Sequence, residues 1–584
     1  MQTTSQIVVL DAGGQYCHLI ARKVRDLGVY AEVRPSETPA AELTGARGII
    51  ISGGPSSVYD PGSPTVDPAV FGSGRPVLGI CYGQQLMAHL LGGSVQKGQK
   101  GEYGLATLEL DGVDTPIFRG LAGPQQIWMS HRDLVAAVPA GFSVLARTET
   151  CPVAAIGEPV RGLYGVQFHP EVVHTTHGRE ILSNFVFGIC GCTPDWDPRN
   201  RIPQVEQAIR DCVGNRNVFF FVSGGVDSTV AYTLCLRALP AGRVRGVYVD
   251  TGLMREGETD FVRRMFDGLG AGTMTIEHAQ EQFLAPLAAA RDPEEKRHII
   301  GQEFVRVQER IIESRHLLDG HWILGQGTIY PDTIESGGTQ KAATIKTHHN
   351  RVAGIQKLLE CGRIVEPLAQ FYKDEVREIG RDLGLPPELL ERHPFPGPGL
   401  AIRCLCSEFD APVRQVDEGW IVPVHSVGVQ GDSRSYAPVL AIEEMAHVRA
   451  VGLINAIAGI NRVVARVATS APLAEMQVTA SSLTPERIGR LRRADAVVRR
   501  LSHESGFDRQ IWQFPVVLIP LGTAKALDSV VLRPVHSVDG MTAQSVVMPD
   551  ELLRAMSREL LAIDGVAGVF YDLTNKPPAT IEWE

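Results

Sequence analysis

The chain has 584 residues, 44% of them hydrophobic and 21% charged, with a formal net charge of −10. At roughly 100 to 200 residues per domain, this length asks for about three to five domains. The composition is that of folded protein rather than a disordered chain, and the acidic balance argues against broad capture of nucleic acid while allowing a local basic pocket for small anions.

Residues 1–6 are polar and run into the apolar Ile7–Leu10, too short for the hydrophobic region of a signal peptide, so no secretion is expected. Nowhere are there about 18 consecutive apolar residues, so no membrane-spanning helix is expected either. The ten cysteines are scattered. Their close pairs, Cys190-Gly-Cys192 and Cys404-Leu-Cys406, lack zinc-ribbon or redox spacing, and reduced thiols in a cytoplasm are the simplest reading.

From Ile7 to about Gly188, short β-branched runs alternate with helical stretches: IVVL, a helix over about 14–27, GIIISGG, then PVLGI before another helix. This alternation predicts a mostly parallel α/β sheet. The polar, proline-bearing TPDWDPRNR that follows reads as a linker. A second doubly wound unit opens with VFFFVSGG, has RGVYVDTG as its next strand and closes at RHPFPGPGLAIR, after which strand and helix signals mix. The expected domains are 1–195, 200–403 and 404–584.

The last region carries an internal repeat. PVHSVGVQGDSRSYAPV with its downstream GLINAIAGINRVV aligns beside VVLRPVHSVDGMTAQSV with ELLAIDGVAGVFYDL, predicting two related α+β units in tandem at about 420–470 and 484–584.

Chemistry enters at Gly79-Ile80-Cys81-Tyr82-Gly83, between an apolar strand and the helical run QQLMAHLLGG. Small residues on both sides of a strand-to-helix elbow allow a sharp turn that exposes the thiol, and the helix N-terminus favours its thiolate. A thiol nucleophile needs a base, and Phe168-His169-Pro170-Glu171 ends another apolar strand, so that Glu171 can orient His169. Ser52-Gly53-Gly54-Pro55 offers a bare backbone; Gly54 and Tyr82 are the oxyanion candidates. Through GGP, GICYGQQ and FHPEV, residues 7–188 resemble the class I glutamine amidotransferases. The resemblance implies attack of Cys81 on the glutamine amide, release of ammonia, hydrolysis of the thioester with help from His169 and Glu171, and a role for Gln85 in holding glutamine. The sequence departs from that pattern at Arg132, where the family often has glycine or asparagine.

A second site opens at Ser223, Gly224, Gly225, Val226, Asp227, Ser228 and Thr229, between a strand and a helix expected to begin near Thr229. Without GK[ST] it is no Walker loop, yet glycines, hydroxyls and a helix N-terminus suit an anion. Asp227 is the candidate for Mg²⁺, and Asp250 and Gly252 end the next strand, where a nucleotide crevice is expected. SGGxDS after a strand resembles the pyrophosphatase-loop ATP family, which implies cleavage of ATP to AMP and pyrophosphate with Mg²⁺. A glycine-bearing stretch with Lys341, Lys346, His348 and His349 reads as a lid over phosphates.

Further strings, among them PEEKRHIIG, IKTHHN, RHPFPGPGLAIR, VGVQGDSRSY and DLTNKPPATIEWE, resemble the GMP synthase family across nearly the whole chain. That resemblance implies glutamine, ATP and xanthosine monophosphate (XMP) as substrates. Arg297, Asp432, Gln513, Lys576, Ile581 and Glu582 then match the XMP site. The first repeat keeps VGVQGDSRSY but lacks KPPATIEWE; the second does the reverse. Each copy lacks what the other has, as in the longer, eukaryote-like branch of the family. The expectation is an intramolecular counterpart of that family's dimer in a monomer, with a homodimer as the alternative. The competing functional readings are an amidotransferase acting on another nucleotide and a non-catalytic nucleotide-binding homologue. Asparagine synthetase is disfavoured by Gln2, where that enzyme needs a cysteine.

Overall fold

The computed structural model describes residues 5–14, 16–111, 115–269, 274–337, 353–430, 433–457, 459–537 and 542–584. The lid candidates Lys341, Lys346, His348 and His349, and Asp432, lie outside them. The chain forms two compact units, Met1–Arg201 with Ile329–Ala343, and Ile202–Thr328 with Thr344–Glu584.

In the first unit, β1 (Ile7–Asp11), β2 (Ala31–Pro35), β3 (Gly48–Ile51) and β4 (Val77–Ile80) are near-continuous apolar runs. Such runs suit strands covered on both faces. α1 (Cys17–Arg25) covers one face with Cys17, Ile20, Ala21 and Val24, the spacing of an amphipathic helix. α2 (Tyr82–Leu90) follows β4. Then come β5 (Ser94–Leu110), β6 (Gln125–Ala137), β7 (Ser143–Arg147), β8 (Ala155–Glu158) and β9 (Leu163–Val166). The sheet order is β2-β1-β3-β4-β9-β8-β7-β5-β6. The parallel arrangement expected from the sequence holds from β2 to β9. The rest of the sheet is antiparallel. Residues of β6 alternate buried and exposed, as a strand with one wet face does.

The second unit opens with α3 (Ile202–Val213), β10 (Asn217–Phe221) and α4 (Val226–Ala238). The helix begins at Val226 rather than near Thr229, because Gly225 already occupies the N-cap and places Asp227 and Ser228 in the first turn. With β11 (Val244–Asp250), β12 (Met274–His278), β13 (Trp322–Gly325) and β14 (Ile364–Val365), β10 forms an all-parallel sheet of order β12-β11-β10-β13-β14. Strand order reverses at β10, and ligands of open α/β sheets bind at the carboxyl ends of strands at such a point.

Seven strands of the last region form one sheet. After an edge strand, its order is Gly419–Gln430, Ser433–Ile442, Arg462–Thr469, Val566–Asp572, Asp528–Leu532, Val516–Ile519. The pairings between successive neighbours are antiparallel, parallel, antiparallel, parallel, antiparallel, a palindrome about the centre. In each half a helix, His447–Ala456 or Asp550–Leu561, makes the connection that parallel neighbours require. One apolar core runs from Phe219 and Val247 to Leu518, Val530 and Tyr571.

Candidate active sites

β4 delivers Cys81 with φ 51°, a left-handed backbone that a non-glycine residue adopts only under constraint. The constraint is close packing on both sides of the elbow. A Cβ built on Gly83 would lie 2.3 Å from the Ile51 carbonyl oxygen, so α2 rests on β3 as only glycine permits. A Cβ on Gly53 would come within 3.2 Å of His169 Cε1 and 3.6 Å of Cys81 Cβ. The bare Gly53 backbone therefore lies against both His169 and Cys81. Gly54 backs onto Tyr82: its Cβ would approach Tyr82 Cγ at 3.4 Å and the Ala12 carbonyl oxygen at 2.4 Å.

His169 follows β9, and its Nδ1 lies 2.7 Å from Glu171 Oε1, with both residues buried. Nε2 thus faces the thiol. Burial alone would lower the imidazole's proton affinity, but the Glu171 charge and a hydrogen bond with Cys81 hold His169 well above its ordinary pKa. A protonated imidazole beside sulfur favours the thiolate. Backbone bonds lock the ring: His169 N donates to the Trp128 carbonyl at 3.0 Å, and Thr175 Oγ1 to the His169 carbonyl at 2.6 Å.

Gln85 is buried, and its amide nitrogen donates to the Asp133 carbonyl at 2.7 Å and to Gln167 Oε1 at 3.0 Å. Its nitrogen is thus spent on the pocket wall. Gln167 Nε2 in turn reaches Cys81 Sγ at 3.6 Å, and Ser57 and Tyr59 donate to Asp133 Oδ2. Gln167 and Asp133 escaped the sequence reading, although Gln167 directly precedes FHPEV and Asp133 directly follows Arg132. Arg132 is exposed.

The second site sits at the carboxyl end of β10. Gly224 has φ +75°. Ser223 Oγ and Ser228 Oγ lie 3.0 Å apart, and Gly225 N donates to Ser223 Oγ at 3.2 Å. Val226 and Thr229 are buried, and the Thr229 hydroxyl donates to the Gly225 carbonyl at 2.8 Å, so these two build the turn. Asp227 Oδ2 accepts from Lys373, while its Oδ1 is buried with no hydrogen-bond partner among the described residues. An unpartnered carboxylate oxygen beside serine hydroxyls has the hard-oxygen chemistry that Mg²⁺ takes. Lys373, in FYKDE, is a cation that the sequence reading missed. At the end of β11, Asp250 Oδ1 accepts from Gly252 N at 3.0 Å and Oδ2 from Thr259 Oγ1 at 2.8 Å. A cavity of about 290 Å³ opens there, lined by Asp250, Gly252, Arg255, Gln280 and Arg492 among others.

The chain's end makes a third cluster. Glu582 pairs with buried Arg403 through two bonds, 2.9 and 2.7 Å, and accepts from Gln513 Nε2 at 3.2 Å. Arg533 Nε donates to the Ile581 carbonyl at 2.9 Å, and Lys576 exchanges backbone bonds with Ala543. On the helix Pro293–Ser314, Arg297 pairs with Glu294 at 2.6 Å, and the neighbouring Lys296 is buried against Glu584 at 2.7 Å. Asp572 accepts from both Arg462 and Arg533, at 2.8 and 2.7 Å. The structure thus joins Gln513, Ile581 and Glu582 in one network. Lys296, Arg403, Arg462 and Arg533, which anchor it, were not anticipated.

Residues 8–189 match the class-I glutamine amidotransferases, and residues 501–583 match the GMP synthase C-terminal domain. A probable glutamine-hydrolysing GMP synthase of Leptospira interrogans is 42% identical, with 99% of each chain covered. Glutamine-hydrolysing GMP synthases of Caldicellulosiruptor saccharolyticus and Carboxydothermus hydrogenoformans are 40% and 41% identical, over 99% of this chain and 99% and 100% of theirs. The chain belongs to the GMP synthase family. It is a glutamine-dependent ligase of that family, and the C-terminal match spans Gln513, Lys576, Ile581 and Glu582. Among the described residues, no helix is long and apolar enough to cross a membrane.

Proposed function

We propose that the chain converts XMP, ATP, glutamine and water into GMP, AMP, pyrophosphate and glutamate, working in a cytoplasm. The observation that carries this reading is the coexistence, in one chain, of the buried Cys81-His169-Glu171 arrangement and a glycine-rich phosphate loop that places Asp227 in the first turn of a helix. One machine liberates nitrogen and the other activates its acceptor.

In the glutaminase, residues 1–195, the Cys81 thiolate attacks the glutamine amide carbon, and the backbone NH groups of Gly54 and Tyr82 take the charge that develops on oxygen. His169 then delivers its proton to the departing ammonia. Glu171 stabilises the charged imidazole throughout, and His169 subsequently draws a proton from the water that opens the thioester. Gln85 and Asp133 hold the pocket wall against which glutamine lies.

In the synthetase, residues 200–403, Ser223 to Ser228 cradle the β- and γ-phosphates, and Asp227 with the Ser228 hydroxyl would hold Mg²⁺. Bound Mg²⁺ supplies positive charge where pyrophosphate departs. Lys373 adds a second cation, and Lys341, Lys346, His348 and His349 close over the phosphates. XMP binds in the region 404–584, with Gln513, Lys576, Ile581, Glu582 and Asp432, together with Arg297. The palindromic strand pairing supports a tandem duplication, about 420–470 and 484–584, with one nucleotide site per chain and no need of a homodimer.

The test is formation of GMP and AMP from XMP, ATP and Mg²⁺, with glutamine and with ammonium in parallel. GMP from both nitrogen sources is the expected result. Glutaminase activity without GMP from either source would overturn XMP as acceptor.

A further inference from the structure

The register of the antiparallel β5-β6 pair sets Glu102 opposite His131, and directly opposed residues share one face of a sheet. The turn after β7 brings Cys151 against them, with Cys151 N donating to Thr148 Oγ1 and Thr148 N to the Cys151 carbonyl, both at 2.9 Å. The three side chains' donor atoms all lie within 4.8 Å of one another. His131 Nε2 stands 3.1 Å from Glu102 Oε2, and its Nδ1 stands 3.0 Å from the Asp133 carbonyl oxygen.

A carbonyl oxygen only accepts, so Nδ1 carries a hydrogen and Nε2 is the ring atom turned toward the Glu102 carboxylate. A ring nitrogen, a carboxylate oxygen and a thiol sulfur thus converge in one place, with Cys151 wholly buried and His131 6% exposed. Such a trio offers three donor atoms to one metal ion. The outer partners fit as well: the Asp133 carbonyl fixes the imidazole tautomer, and Thr148 Oγ1 holds Glu102 Oε1 at 2.8 Å, leaving Oε2 turned to the cluster. Tetrahedral zinc with nitrogen, oxygen and sulfur ligands needs donors roughly 3.3 to 3.8 Å apart. The observed separations need only small side-chain rotations to reach that. A thiolate, an imidazole and a carboxylate also form a ligand set that zinc accepts and that Mg²⁺, which prefers oxygen, does not.

We propose that Glu102, His131 and Cys151 form a binding site for a divalent zinc-class ion in the glutaminase unit. Cys151 releases its proton to solvent on binding, and the fourth position is left to water. The site adjoins the nucleophile's wall, since the Ser130 carbonyl, one residue from His131, lies 3.8 Å from Cys81 Sγ.

The test uses the full chain carrying Cys81→Ala, which removes a competing thiol, titrated with Co²⁺ as spectroscopic probe. We expect one equivalent of Co²⁺ to give a near-ultraviolet thiolate-to-metal band that Zn²⁺ abolishes by displacement. Adding Cys151→Ser should eliminate the band, and adding Glu102→Gln instead should weaken Co²⁺ binding by about tenfold or more. No band in the Cys81→Ala chain, or a band unchanged by Cys151→Ser, would overturn the proposal. So would an affinity unchanged by Glu102→Gln.

Discussion

His169 Nδ1 and Glu171 Oε1 face each other across 2.7 Å in a pocket that leaves only 4% of the histidine exposed. Burial by itself would lower the imidazole's pKa from the ordinary 6.5, so its raised value rests on the Glu171 charge and on Cys81. Raised in the folded state, this group adds stability that is complete below about pH 6.5 and is lost as pH rises through the folded value. Glu171→Gln removes the main support. The alkaline limb of the glutaminase pH profile should therefore move to lower pH, as steady-state glutamine hydrolysis would register. An unmoved limb would mean that Glu171 does not set the imidazole's charge.

Cys81→Ala separates the two chemistries. Glutamine-supported GMP formation should fall by a factor on the order of 10³ or more, while the ammonium-supported rate stays unchanged, because the synthetase loop contains no part of the triad. Parallel assays with the two nitrogen sources check this. Loss of both would refute the division of labour.

Gly53→Ala tests the close approach without replacing Cys81 or His169. Its methyl would press His169 Cε1 at 3.2 Å and Cys81 Cβ at 3.6 Å. A small displacement of the pair should lower kcat/KM for glutamine on the order of 10²-fold. Ammonium-supported synthesis serves as the control that the rest of the chain is intact.

For the synthetase loop, Asp227→Ala removes both the buried oxygen that has no partner among the described residues and the counter-ion of Lys373. GMP formation should drop on the order of 10²-fold with either nitrogen source, with glutaminase activity retained. A defect confined to glutamine would contradict a role at the phosphates.

Asp572 neutralises two wholly buried arginines. Burial would raise its carboxyl, but Arg533 and Arg462 hold it below the ordinary 3.8. Its stabilisation is therefore full above that value and is lost as pH falls through the lower folded value. Asp572→Asn should cost about 3 to 5 kcal/mol, measured as a lower urea midpoint for the second unit.

What the sequence revealed, it revealed in short strings. Cys81, His169-Pro170-Glu171 and Ser223 to Ser228 could be singled out as candidates because each occupies a few consecutive residues at a strand end. Gln167, Lys373 and Arg403 could not, since each acquires meaning from a partner far along the chain: Cys81, Asp227 and Glu582. The antiparallel half of the first sheet was hidden too. β6 alternates buried and exposed residues, a pattern that fixes strand character without naming the neighbour.

The palindromic sheet has a thermodynamic corollary. Its two central strands, Arg462–Thr469 and Val566–Asp572, lie on one polypeptide, so joining the halves is an intramolecular event at a fixed effective concentration. Where a two-chain version of such a sheet would come apart on dilution, the pairing of these two strands does not depend on the concentration of enzyme.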